Sequence, residues 1–191
     1  EALAAADNIM TFKLAVKTIA KRHGLHATFM PKPKFGVNGS GMHINMSLAK
    51  DGKNIFSDPS DKNGLSREAY WFIGGIMKHM KGMTAITNPL VNSYKRLVPG
   101  YEAPVCTVTS LGHSAQMPSR NRTVLVGLVR EIGNKMATRF ELRSPNPKSN
   151  TYLVIAASYM AILDGIKAAL ENGKVSDELE RSISKEYGQE D

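Results

Sequence analysis

From Met42 to Leu48 the chain alternates strictly. Met42, Ile44, Met46 and Leu48 are apolar, and His43, Asn45 and Ser47 are polar. A period of two is that of a strand with one face turned inward. The alternation returns near the end of the chain, where Phe140 and Leu142 share one face and Arg139, Glu141 and Arg143 the other. Strands are therefore predicted over Thr123–Ile132 and Thr138–Leu142, joined by a Gly133-Asn134 turn. A short strand is expected at Ala27–Met30, stopped by Pro31 and Pro33. Asp51-Gly52 signals a hairpin pairing His43–Leu48 with Asn54–Phe56. Helical spacing appears over residues 2–22. There Leu3, Ile9, Phe12, Leu14, Val16 and Ile19 mark an apolar face, Lys13, Lys17 and Lys21 lie on another, and Gly24 is the expected C-terminal cap. Ser66 should cap a second helix from Arg67 to about Lys81, with Trp71, Phe72, Ile73, Ile76 and Met77 in the core. A third helix is predicted from about Ser149 to Glu171. Residues 87–122 contain Pro89, Pro99, Pro104 and Pro118 and are expected to be mostly irregular. Loops of that length in a compact domain are usually functional. The acidic tail is expected to hold a short helix near Asp177–Lys185.

Composition narrows the class. The 191 residues suffice for one domain with a core, or for a large piece of a bigger one. No uninterrupted apolar run approaches the roughly 20 residues of a bilayer span, and Glu1-Ala2-Leu3 does not open a signal peptide. The single cysteine, Cys106, excludes an internal disulfide framework and fits a reducing cytoplasm. The net charge of +8 is carried entirely by residues 1–100, with 14 Lys/Arg against 6 Asp/Glu, while the remainder has 11 of each. The lysines are dispersed, without a basic run or interleaved aromatics. Nucleotide phosphates or an acidic partner explain this bias as well as nucleic acid does.

Several stretches can carry chemistry. Gly36, Gly39 and Gly41 precede the alternating strand and allow positive φ or close approach of backbone to a ligand. His43, Asn45 and Ser47 would then stand in a row beside a loop whose N–H groups can face an anion. On the late strand, the Glu141 carboxylate can bind a hard cation, and Arg139 and Arg143 can bind carboxylate or phosphate. Glu102 follows a Pro99-Gly100 turn and is a candidate general base. Arg96 and Arg122 are the neighbouring cationic candidates. Taken singly, each has a bland alternative: a structural histidine, a tight turn, a solvated strand face, an exposed loop glutamate. There is no P-loop, dinucleotide-binding glycine fingerprint, CxxC, HExxH or nucleophile elbow.

In combination, KPKFGVNGSGMHINMS, NPLVNSYKRLVPGYEAPV, SRNRT and RFELRSPNP resemble, in order, the ATP-binding signature and later active-site segments of the glutamine synthetase family. The resemblance runs from about Asp7 to Ile166. It implies an α+β fold in which a curved, mainly antiparallel sheet lines the active site and helices cover its outer face. It implies ATP-dependent ligation of ammonia to glutamate through γ-glutamyl phosphate, with Mg²⁺ or Mn²⁺, in a cytoplasmic homo-oligomeric ring that engages neither nucleic acid nor membrane. By the same resemblance Asn38, Gly39, Arg96 and Arg143 contact glutamate, and Asn45, Ser47 and Arg122 contact the nucleotide. His43 and Glu141 are metal ligands. Glu102 deprotonates ammonium, and Arg122 meets the transferring phosphate.

The chain also departs from the family. A small N-terminal β-domain, the early metal-ligand strands and the C-terminal segment are not in it. The 191 residues are therefore read as a partial catalytic domain that is expected to be inactive alone. The stretch Thr107–Ser119 is longer than usual. Gly127 stands where a second ATP-binding arginine is usual, and Arg130 is out of register to replace it. Two alternatives stay open: a relative that ligates glutamate to a larger amine, and a non-catalytic relative that kept the fold.

Overall fold

The structure, a computed structural model, describes residues 1–98, 107–110, 114–117, 122–131 and 133–172. Its elements run α1 (Ala2–Arg22), β1 (Ile44–Met46), β2 (Ala49–Lys50), β3 (Lys53–Asn54), α2 (Arg67–Thr87), α3 (Val91–Arg96), β4 (Thr107–Ser110), β5 (Val124–Glu131), β6 (Asn134–Leu142) and α4 (Thr151–Asn172). The fold is α+β, as expected.

Four strands form one sheet in the order β1-β6-β5-β4. The β1–β6 and β5–β6 pairs are antiparallel, and β4 lies parallel to β5. Register pairs Ile44 with Leu142 and Met46 with Phe140, so the apolar residues of both alternations fall on one face. That face covers the core. Phe56, Phe72 and Phe140 are almost wholly buried, with ring centroids 4.8–5.4 Å apart. Fully burying a side chain of this kind is worth about 1.5–3 kcal/mol, so this trio is a main fastening of sheet to helix.

The two long core helices meet almost backbone to backbone. A Cβ on Gly75 would stand 2.2 Å from the Ala161 carbonyl oxygen, and one on Gly165 would stand 2.4 Å from that of Trp71. Only glycine at both positions permits this crossing. α4 is also long and apolar enough, by composition, to cross a bilayer, with a mean hydropathy of 1.7 over an 18-residue window. Here α4 packs against α2, and Asp164 and Lys167 interrupt its apolar surface.

Other differences have local causes. Ser66 caps α2 as predicted, its side chain accepting from the Ala69 N–H, but the helix continues to Thr87. Its last turns stay amphipathic, with Met80, Met83 and Thr87 buried. Residues 25–30 form no strand. Thr28 Oγ1 accepts from Met30 N–H at 3.2 Å and bends the segment. The Asp51-Gly52 turn exists, with φ of 51° and 73°, but its ladder is shorter than expected and pairs Ala49 and Lys50 with Asn54 and Lys53. β6 begins at Asn134, ahead of its alternating part, because Glu131 pairs with Asn134 across the turn. The region expected to be mostly irregular contains α3 and β4. On α1, Ala6 is the buried residue, while Leu3, Phe12, Leu14 and Ile19 are exposed. Ile9 and Val16 of the expected face are half-buried beside it. Gly24, at φ +69°, caps it as expected. The tail helix expected near Asp177–Lys185 lies outside the described residues.

Candidate active site

The polar face of the sheet is the same alternation seen from the other side. His43 immediately precedes β1, Asn45 pairs with Glu141, and Glu141 pairs with Gly127 on β5. His43 Nδ1 lies 3.0 Å from Glu141 Oε1. Arg143 Nη1 donates to Glu141 Oε2 at 2.8 Å. An ionised carboxylate only accepts, so His43 donates through Nδ1 and its Nε2 carries the free lone pair.

Behind this chain stands Arg96, at the end of α3. Its guanidinium donates to the carbonyls of Ser144 (3.0 Å) and Arg143 (3.1 Å). Arg96 and Arg143 are both buried, and Arg143 Nε has no hydrogen-bond partner. Burial, and then the charge of Arg143, lower the Arg96 pKa to about 10. For Glu141, burial raises the pKa, but the hydrogen bond from Arg143, the charges of His43 and Arg143 and the His43 contact outweigh it and hold it below its ordinary value. Burial and Arg143 together lower the pKa of His43, against the pull of Glu141. The described cluster is thus two guanidiniums, one carboxylate and an imidazole. Its excess charge is positive and suits an anion.

The glycine loop closes over these groups. A Cβ on Gly41 would stand 2.6 Å from Arg96 Nη2 and 2.9 Å from His43 Nε2. One on Gly39 would stand 2.2 Å from the Pro31 carbonyl oxygen and 3.2 Å from Arg96 Cγ. Neither residue has a left-handed φ, so both are needed for close approach, whereas Gly36 has φ +77° in open space. Asn92 on α3 fixes the base of the loop. Its Oδ1 accepts from Lys32 N–H and its Nδ2 donates to the Lys32 carbonyl, both at 2.9 Å. The buried Lys32 ammonium turns back onto the Val37 carbonyl.

The structure therefore brings Gly39, His43, Arg96, Glu141 and Arg143 together. Asn45 shares their face and accepts from Arg139 Nε at 3.0 Å. Asn38, Ser47 and Arg122 are exposed, the first on the glycine loop, the second just past β1 and the third just before β5. Glu102 lies outside the described residues. Arg130 serves elsewhere, donating to the carbonyls of Asn63 and Ser114. At Gly127 a Cβ would have ordinary contacts, 3.7 Å from both Glu141 Oε2 and Arg143 Cδ. A side chain there would lie over that pair, and glycine supplies none. Sequence reasoning missed Lys32, Asn92 and Asn146, which hold the loop and α3. The available signal was the polar spacing of Asn92, Ser93 and Arg96 on one short helix.

A hard divalent cation fits this donor set in part. His43 and Glu141 offer an imidazole nitrogen and a carboxylate side by side, and a metal-bound histidine commonly gives its other N–H to a carboxylate. Among the described residues there is no group of three or more His, Cys, Asp or Glu side chains. Mg²⁺ tolerates such a partial set, because it keeps waters and takes further ligands from substrate phosphates.

Comparison with known proteins shows the family. The sequence model of the glutamine synthetase catalytic domain matches residues 1–187. A glutamine synthetase of Clostridium saccharobutylicum is 62% identical over 171 residues, which are 90% of this chain and 36% of that protein. The chain thus spans about a third of the length of the curated relatives it matches. Among solved structures, Plasmodium falciparum glutamine synthetase superposes with a TM-score of 0.78 at 38% identity, over 87% of this chain and 31% of that one. Ligand-free GmaS superposes at 0.71 and 42%, over 88% and 36%. With the family matched from end to end of the described fold, and its signature loop folded against the paired arginines, the chain belongs to the glutamine synthetase catalytic-domain family.

Proposed function

We propose that this chain supplies the glutamate- and phosphate-facing part of a glutamate–ammonia ligase, forming glutamine from glutamate, ammonia and ATP. The observation that carries the reading is the buried Arg96–Arg143 pair, balanced by one carboxylate and capped by Gly41. Such a pair offers fixed guanidinium donors to a carboxylate, or to charge developing on a transferring phosphoryl group, at no reorganisation cost. Arg96 and Arg143, with Asn38 and Gly39 on the loop, hold glutamate. Asn45, Ser47 and Arg122 hold the nucleotide, and Arg122 also meets the transferring phosphate. His43 and Glu141 would hold Mg²⁺ or Mn²⁺, which when bound neutralises phosphate charge. Glu102 takes the proton of ammonium.

The residues read as a partial catalytic domain of a cytoplasmic ring-forming enzyme, and the isolated chain is expected to have little or no turnover. The test is phosphate release by the full-length parent with ATP, Mg²⁺ and glutamate, with and without ammonia, beside its Glu102→Ala variant. Release that needs both glutamate and ammonia, and collapses in the variant, supports the reading. Release driven by a larger amine in place of ammonia would assign the alternative substrate. No amine-dependent release would point to a non-catalytic relative.

A further inference from the structure

We propose that Asn146 is a positioning residue, a neutral clamp that holds Arg96 and Arg143 at one fixed separation for substrate carboxylate binding. The proposal rests on the reading of the site given above. Two cations in a partly buried cluster repel one another more strongly than they would in water. Arg96 and Arg143 are such a pair, so the backbone that carries them must be held against that repulsion.

Asn146 is fully buried, two residues beyond the carbonyl of Ser144 that receives Arg96. Its Nδ2 donates to the Thr87 carbonyl (3.2 Å), to Asn88 Oδ1 (3.3 Å) and to Ser93 Oγ (3.0 Å). Its Oδ1 accepts from Lys148 N–H at 3.0 Å. Every polar atom of this side chain is engaged inside the protein, so it acts through other residues and not on substrate.

Ser93 and Arg96 stand three apart on α3 and share a face of that helix. The helix is thereby attached to the segment leaving β6 at two points, Ser93 through Asn146 and Arg96 through the two carbonyls. Asn92 ties α3 to the glycine loop, but without Asn146 the helix keeps on the segment leaving β6 only the bonds made by Arg96 itself, and those are the bonds that repulsion from Arg143 strains. A helix of one and a half turns has little stability of its own, so its place depends on such anchors. Asparagine suits the position because it pairs donors with an acceptor at one size. An aspartate would set a charge against the Thr87 carbonyl and Asn88 Oδ1, and a serine would not span them.

The test uses the full-length parent. In Asn146→Ser the KM for glutamate should rise by roughly 10–100-fold, the range expected when a binding group is displaced by about an ångström, while the KM for ATP stays within about twofold. Ser93→Ala, a milder change that keeps the segment folded, should move the same parameter in the same direction by less. Placed in an Arg96→Lys background, Asn146→Ser should add little, because the clamp acts through Arg96. A loss confined to kcat or to the thermal midpoint, or full additivity with Arg96→Lys, would overturn the proposal. If the unmodified parent shows no glutamate-dependent turnover, the functional reading has failed. The clamp is then tested alone by calorimetric titration with inorganic phosphate: weaker binding by Asn146→Ser than by the parent supports it, and unchanged binding overturns it.

Discussion

Glu141 and Asp164 are each held between two bases. Glu141 meets His43 at 3.0 Å and Arg143 at 2.8 Å, and Asp164 meets Lys78 at 2.7 Å and His79 at 2.8 Å. As contacts the two triads are nearly interchangeable, and their surroundings separate them. The Glu141 side chain is 22% exposed on a sheet face, whereas that of Asp164 is 41% exposed on the outer surface of α4. Arg143 is itself 9% exposed and its main-chain carbonyl accepts from Arg96, while Lys78 is 60% exposed and screened by water. A carboxylate between two bases is therefore not a site by itself. What makes the first one a candidate site is a second buried guanidinium, which leaves positive charge among the described residues that a ligand can balance.

That contrast can be broken at its base. Phe140 lies directly behind Glu141 on β6 and is fully buried in the aromatic trio. Phe140→Ala should cost about 3–5 kcal/mol of stability by cavity formation and lost burial. Urea denaturation of the full-length parent reads this directly, and a cost under about 1 kcal/mol would show that the polar face does not depend on the core beneath it. Next in size is Glu141→Gln, which keeps shape and removes charge. Turnover of the parent at fixed Mg²⁺ should fall by more than the roughly 10–100-fold lost when a group that merely orients a metal ligand is removed. Full activity would remove Glu141 from the metal site. Smaller again is Gly41→Ala, whose methyl would press on Arg96 Nη2 and His43 Nε2. Overpacking of this kind costs about 1–3 kcal/mol, to be seen as an increase of about tenfold in the KM for glutamate. An unchanged KM would show that the loop does not crowd the site.

Two alternations were enough to read which strand residues face the site. The parity of Met42–Leu48 and of Arg139–Arg143 separates His43 and Glu141 from Ile44 and Phe140, and register then sets the polar rows side by side. The resemblance supplied the roles, which no spacing could. α3 escaped because six residues hold less than two helical turns, and what fixes it comes from far along the chain: Asn146 grips Ser93, and Asn92 grips Lys32. The inner face of α1 was read only in part: Ile9 and Val16 are half-buried, but Leu3, Phe12, Leu14 and Ile19 are exposed and full burial falls on the inconspicuous Ala6. The spacing gave no part to Gly75 and Gly165, and only the crossing of α2 and α4 shows that their missing side chains are what the packing uses. Arg96 and Arg143 were both legible as cations. Their mutual burial was not, since it needs the path of the chain after β6.

The second triad yields the smallest expected effect and tests the contrast from the other side. Hydrogen bonds from Lys78 and then His79 lower the Asp164 pKa from 3.8 to about 2. The folded value lies below the unfolded one, so the triad stabilises the fold in full above the unfolded pKa and ceases to do so as pH falls through the folded one. Asp164→Asn abolishes that term. The gap between its urea midpoint and that of the parent should begin to close below about pH 4 and vanish only below about pH 2. Because exposed ion pairs are weak, the gap should be modest even at its widest. Glutamate and ATP kinetics should remain those of the parent, because Asp164 sits on α4 away from the polar face of the sheet. A gap that widens on acidification would reverse the sign and refute the pairing, and altered kinetics would mean that the outer surface of α4 communicates with the site after all.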